Sequence, residues 1–339
     1  MKPKTFVITG LAAVATGIAA VAVYTTHNQW DPGRIGGEKL VPALASGTAD
    51  VGALVVTHGG KTLTIQSNAD GQWTLKESDG YPADPDKVRA LLVKLAQAEL
   101  VEAKTRMPDR HALLELEDPA GKDAKSRSLK MLDGRGRVIA DLVIGKRRWE
   151  AFGSGKSGTY VRKRDDAQTW LANAEINLQA DTRYWIEPTI FNTQSDKIQR
   201  LTLHIPGEEM LKIERGSGDQ DKPAFVGFPE NAKLKDSSAA DGILRAAARI
   251  DVDDVRKLDG PPSGDVSTLS FTTKDGLEVT FWVRKDGDDY WLSLAATGDG
   301  DAKKTAENIR KQTDGWEYKI SSAKAGSLLK RRADLIESS

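Results

Sequence analysis

The residues that most invite a chemical reading are Gly153-Ser154-Gly155-Lys156-Ser157-Gly158, a glycine-rich run carrying Gly-Lys-Ser. A phosphate-cradling loop needs a further glycine five positions before that triplet, with a strand entering and a helix leaving. Glu150 occupies the glycine position, and the residues that follow alternate like a strand. The run therefore reads as a flexible hairpin loop. The four histidines, His27, His58, His111 and His204, include no pair at metal-ligand spacing and no H-E-x-x-H. His58 and His204 both fall at the ends of strand-like stretches, which a turn preference explains. Asp286-Gly287-Asp288-Asp289 and Gly298-Asp299-Gly300-Asp301 are acidic, but neither supplies the alternating oxygen ligands and the acid at the twelfth position of a calcium loop. Both read as solvated hairpin turns. No G-x-S-x-G elbow occurs. A carboxylate pair for glycoside hydrolysis stays open, because 49 acidic residues supply many chance pairs. No catalytic, cofactor-binding or metal-binding residue is assigned, and the expectation is a protein that is not an enzyme.

The eight tryptophans are Trp30, Trp73, Trp149, Trp170, Trp185, Trp282, Trp291 and Trp316. On alternating strands such residues are usually packing. Trp149, beside the glycine-rich loop, is expected in the core, with a binding patch as the alternative. Trp30 suits an interfacial belt if an anchor precedes it.

Such an anchor is suggested by Phe6–Tyr24, nineteen residues without a charge. As a helix it would rise about 28 Å at about 1.5 Å per residue, close to the hydrocarbon thickness. Lys2 and Lys4 precede it, and no Lys or Arg follows until Arg34. The positive-inside tendency then puts the N-terminus in the cytoplasm and the bulk outside. Ala20-Val21-Ala22 offers a signal-peptidase site instead, but the run exceeds the usual apolar core of about 7–15 residues. The whole chain balances 49 basic against 49 acidic residues, so no overall basic excess recruits nucleic acid. It has no cysteine, hence no disulfides and no thiolate chemistry.

The pattern divides into an anchor over residues 1–28, a Gly/Pro-rich linker over 29–50, and two lobes over 51–190 and 191–339. In the first lobe, strands at 53–56, 62–65 and 73–75 turn at Gly59-Gly60 and Asp70-Gly71. Asp84 caps a helix with Pro85 at its first position and Val88, Leu91, Leu92 and Leu95 on one face. Strands follow at 128–132, 138–144, 159–162 and 169–171, then a short helix at Asp181–Ile186. The second lobe repeats this order: strands at 198–203, 211–213 and 224–226, a helix with Ile243, Leu244, Ala247 and Ile250 inward, and strands at 269–271, 277–283, 289–292 and 316–320. A closing helix is expected through Leu328, Leu329 and Leu335. Corresponding elements lie roughly 140–155 residues apart, which suggests an internal duplication. Residues 301–313 form an extra charged helix. The fold class expected is α+β: two similar lobes of antiparallel meanders backed by helices.

Gln72-Trp73-Thr74-Leu75, Tyr81-Pro82-Ala83-Asp84 before Val88-Arg89-Ala90-Leu91-Leu92, Leu142-Val143-Ile144-Gly145-Lys146, Thr159-Tyr160-Val161-Arg162, Trp170-Leu171 and Trp185-Ile186 together resemble the bacterial family known as domain of unknown function 4340. The likeness is closest over residues 35–205, with the remainder a divergent continuation. It implies a single-anchor protein of the bacterial inner membrane, facing the periplasm and associated with ABC transporters of the gliding-motility type. It thus implies an ABC permease or auxiliary subunit as partner, and it carries over no catalytic residues. The other readings are a periplasmic carbohydrate- or peptidoglycan-acting hydrolase, and a ligand-binding module with an apolar pocket between the lobes.

Overall fold

A computed structural model describes residues 37–216, 221–229, 232–262 and 264–337. The apolar run Phe6–Tyr24, His27 and Trp30 lie outside the described residues. Among the described residues no helix is long and apolar enough to cross a membrane.

The fold is α+β, and every ladder between named strands is antiparallel. The first sheet contains β1 (Glu38–Lys39), β2 (Val51–His58), β3 (Lys61–Ser67), β4 (Trp73–Leu75), β5 (Tyr81–Pro82), β6 (Glu99–Ala103), β7 (Arg127–Asp133), β8 (Val138–Arg148), β9 (Gly158–Lys163) and β10 (Thr169–Ala172). Their order across the sheet is β1-β6-β10-β9-β8-β7-β2-β3-β4-β5. A small ribbon pairs β11 (Thr189–Asn192) with β15 (Arg249–Asp251). The second sheet takes β12 (Ile198–His204), β13 (Leu211–Arg215), β14 (Pro223–Val226), β16 (Asp254–Lys257), β17 (Val266–Thr273), β18 (Leu277–Asp286), β19 (Asp289–Gly298) and β20 (Trp316–Ile320) in the order β14-β13-β12-β17-β18-β19-β20-β16.

Period-two burial explains the strands. In β17, Ser267, Leu269, Phe271 and Thr273 are buried while the residues between them are half-exposed. Leu277, Val279, Phe281 and Val283 do the same on β18. The helices are α1 (Pro42–Ala45), α2 (Pro85–Gln97), α3 (Thr182–Trp185), α4 (Ala239–Ala248), α5 (Asp301–Thr313), α6 (Ser322–Leu328) and α7 (Arg332–Leu335). Helix α2 starts as its sequence dictates. Asp84 accepts hydrogen bonds from the Asp86 and Lys87 N–H groups, and Pro85 takes the first helical position. Its Val88, Leu91 and Leu95 are buried. Part of the expected linker is built in: β1 pairs with β6, and Leu40 and Val41 are buried.

Several expectations need correcting. Ile250 is buried but sits on β15, because α4 ends at Ala248 and the chain extends at Arg249. The closing helix is two short ones, broken over residues 329–331 where Arg331 turns extended and caps α7. Gly298–Asp301 is a strand-to-helix junction rather than a hairpin turn. Gly300, at φ +56°, lets β19 pass into α5, and a Cβ on Gly298 would strike Ala302.

Candidate functional site

Each sequence-suggested site takes a definite place. The Gly153–Gly158 run connects β8 to β9, closed by Phe152 N–H donating to Lys156 C=O and Lys156 N–H donating to Gly153 C=O. No helix follows it, so the hairpin reading describes it. Trp149 is not in the core: it is 70% exposed, with the Arg147 guanidinium 3.5 Å from its ring centroid. The reason is position, since Trp149 falls just past the end of β8, where alternation no longer directs a side chain inward. His58 and His204 end β2 and β12. Burial and the nearby Arg127 lower the pKa of His58. His111 is a core histidine whose Nε2 lies 3.0 Å from the Ala167 carbonyl oxygen. Among the described residues no three His, Cys, Asp or Glu side chains could share a metal ion. Asp286–Asp289 is the β18–β19 hairpin turn.

The chemistry that does converge lies at the seam between the two sheets. Tyr81, from β5, meets Trp316 edge to face at 4.9 Å and Tyr318 at 6.0 Å, both on β20. Burial raises the pKa of both tyrosines. Of three polar links made nearby by residues 84–87 and 183–186, only the last crosses the seam. Asp84 N–H donates to the Trp185 carbonyl at 2.7 Å, Lys87 Nζ donates to the Ile186 carbonyl at 2.8 Å, and Arg183 pairs with Asp253.

Beside the aromatics stands a charged cluster built by neighbouring strands. Glu317, on β20, is 3% exposed. Its Oε1 accepts from Arg256 Nε at 2.7 Å and Arg284 Nη2 at 2.6 Å, and its Oε2 accepts from Arg284 Nε at 3.0 Å. Arg256 also donates to Asp286 at 2.8 Å, and its guanidinium lies 3.7 Å from the Trp291 ring centroid. The bond from Arg256 holds Asp286 below the usual carboxylate range. The first lobe reaches this cluster through Asp79, which adopts φ +53° and accepts from the Lys257 N–H at 3.4 Å. Asp79, Arg256, Lys257, Arg284, Asp286 and Glu317 all line a cleft of 560 Å³. The lining is charged, not the apolar pocket expected of a ligand module.

This arrangement stiffens a seam and presents charge. A carboxylate acid would need a raised pKa. Among the described residues, the carboxylates that shift, Glu99, Asp133, Asp221, Asp236, Asp251, Asp275 and Asp286, all shift downward. Sequence reasoning missed Glu317, Arg256 and Arg284. The available signal was Trp316-Glu317-Tyr318-Lys319-Ile320, whose alternation puts Glu317 on the face opposite three large apolar residues.

The profile of the family described as "Domain of unknown function (DUF4340)" matches residues 73–269, more than half of the chain. The match begins on β4 and ends on β17, so it reaches further into the second lobe than the quoted resemblance. No curated protein and no solved structure matches the chain.

Proposed function

Because the chain belongs to the domain of unknown function 4340 family, whose description assigns no reaction, we propose that it works by contact rather than catalysis. It is a membrane-tethered periplasmic accessory or scaffolding protein of an ABC-type transporter or a related cell-envelope complex. The observation that carries this reading is the uncharged run Phe6–Tyr24 with Lys2 and Lys4 ahead of it and no basic residue until Arg34. The seam adds support, because a scaffold needs two lobes held in one orientation.

The lobes are copies of one unit. The order β6-β10-β9-β8-β7-β2-β3-β4 in the first sheet is matched, strand for strand, by β16-β20-β19-β18-β17-β12-β13-β14 in the second. Duplication of one unit produces that agreement directly. The additions include β1, β5 and the segment 104–126 in the first, and β15, α5 and α7 in the second.

The test is co-purification from solubilised membranes combined with a C-terminal reporter. A periplasm-active reporter and a permease or envelope protein retained through purification are expected. A reporter active only in the cytosol, or a chain that always purifies alone, overturns the reading.

A further inference from the structure

Residues 104–126 cross the outer face of the first sheet and include a 3-10 helix, Pro108–Leu114. With three residues per turn, Arg110 and Leu113 stack along one ridge, and Met107 is the extended N-cap residue at its start. The inner side is pinned by buried His111 on Ala167 and by fully buried Leu116. The ridge faces outward, with Met107 53% and Leu113 69% exposed. Arg106 and Arg110 are exposed beside them, with Asp109 between. Glu102 is paired with Lys104 and Arg148, and Asp118 with Arg164. Among the described residues Arg106 and Arg110 therefore have no carboxylate in ion-pair contact.

The ridge follows the end of β6 toward which the start of β1 points. Strand β1 runs antiparallel to β6, with Glu38 opposite Leu100 and Lys39 opposite Glu99, so the chain enters β1 from the side of the Ala103 end of β6. The end of β6 continues directly into Lys104, Arg106 and Met107. Glu38 also meets Lys163 at 3.4 Å, and the turn after Lys163 carries Ala167, the partner of His111. Twelve residues, 25–36, separate this corner from the end of the apolar run at Tyr24. Even fully extended they reach roughly 40 Å.

We infer that the Met107–Arg110–Leu113 ridge rests on the surface of the bilayer, its apolar tips in the headgroup region and Arg106 and Arg110 on anionic lipid phosphates. This rests on the tethered reading proposed above. Exposed apolar side chains flanked by uncommitted arginines match the chemistry of an anionic lipid surface. The tether keeps that surface within reach, and the first lobe thereby fixes how the second is presented.

The chain has no cysteine, so one introduced thiol is a unique label site. Full-length Leu113→Cys would carry an environment-sensitive fluorophore in nanodiscs of phosphatidylcholine with phosphatidylglycerol, containing a headgroup-level spin-labelled lipid. Val226→Cys, on the far edge strand β14, is the control. Quenching several times stronger at position 113 than at 226 is expected, falling when phosphatidylglycerol is omitted or when Arg106→Gln and Arg110→Gln are combined. An inserted chain with equal quenching at both positions overturns this inference alone. So does a label at 113 that lipid leaves unquenched but a co-purifying protein shields. A chain that stays out of the nanodiscs overturns the tethered reading, and this inference with it.

Discussion

Tyr81 and Trp316 meet edge to face across the two lobes, with centroids 4.9 Å apart and ring planes at 88°. One residue belongs to a two-residue edge strand and the other to a strand more than two hundred positions later. Tyr81 is nearly buried by this contact and by Tyr318. Truncating it removes a large aromatic from a packed site, a change that costs about 3–5 kcal/mol in a core. Tyr81→Ala should therefore destabilise the whole chain and uncouple its halves. Denaturant unfolding followed by tryptophan fluorescence should change from one transition to two. A single, unshifted transition would show that the lobes are held elsewhere.

Glu317 ties three strands of the second sheet together beside the seam. It accepts from two guanidinium groups while almost fully buried, whereas Arg256 and Arg284 are about a third exposed. Breaking a fully buried pair costs about 3–5 kcal/mol. Solvent screening of the partly exposed arginines lowers the expectation to about 2 kcal/mol. Glu317→Ala should lower the melting temperature clearly, and Glu317→Gln, which keeps an acceptor oxygen, should lower it less. Equal stability of all three proteins would remove the cluster from the stability argument.

These two contacts also show where the sequence was legible. The hairpins were, because Gly59-Gly60 and Asp275-Gly276 mark turns and the strands beside them alternate with period two. Helix α2 was, because Asp84 and Pro85 announce its first turn. The seam was not. Tyr81 lies beside prolines and reads as a loop, and nothing local says that its ring finds Trp316. Glu317 and Arg256 form directly opposed partners on β20 and β16, but that pairing depends on a crossover between distant strands. Trp149 misled because composition alone cannot tell the last residue of a strand from the first of a turn.

Acid should weaken the ribbon between β11 and β15. Arg249 Nε donates to both oxygens of Asp251, at 3.1 and 2.9 Å, and the Thr189 hydroxyl donates at 2.6 Å. These bonds, the Arg249 bond foremost, hold Asp251 below the usual aspartate range. Lys39 does the same for Glu99. A carboxylate with a depressed folded pKa takes its proton first in the unfolded chain. The stability it contributes is present above the unfolded pKa and is lost as pH falls through the folded one. Melting temperature should therefore be flat above the ordinary carboxylate range and decline steadily below it. Asp251→Asn should make that decline shallower while lowering stability at neutral pH. An unchanged acid slope in the variant would assign the decline to other groups.

Gly145 and Gly326 separate space from backbone freedom, because neither has a positive φ. A Cβ on Gly145, in β8, would stand 2.2 Å from the Leu114 carbonyl oxygen and 3.0 Å from that of Glu115. Backbone atoms cannot yield as a flexible side chain can, so Gly145→Ala must lift the segment that carries Met107 and Leu113. Overpacking of this kind costs about 1–3 kcal/mol. The lifted segment should also become the first site of tryptic cleavage, at Arg106 or Arg110. A Cβ on Gly326, inside α6, meets nothing within 4 Å. There the alanine only removes conformational freedom from the unfolded chain, and Gly326→Ala should stabilise by about 0.4–1 kcal/mol. If Gly145→Ala left both the melting temperature and the cleavage pattern unchanged, the covering segment would not be seated on β8, and the ridge it carries would lose its fixed place.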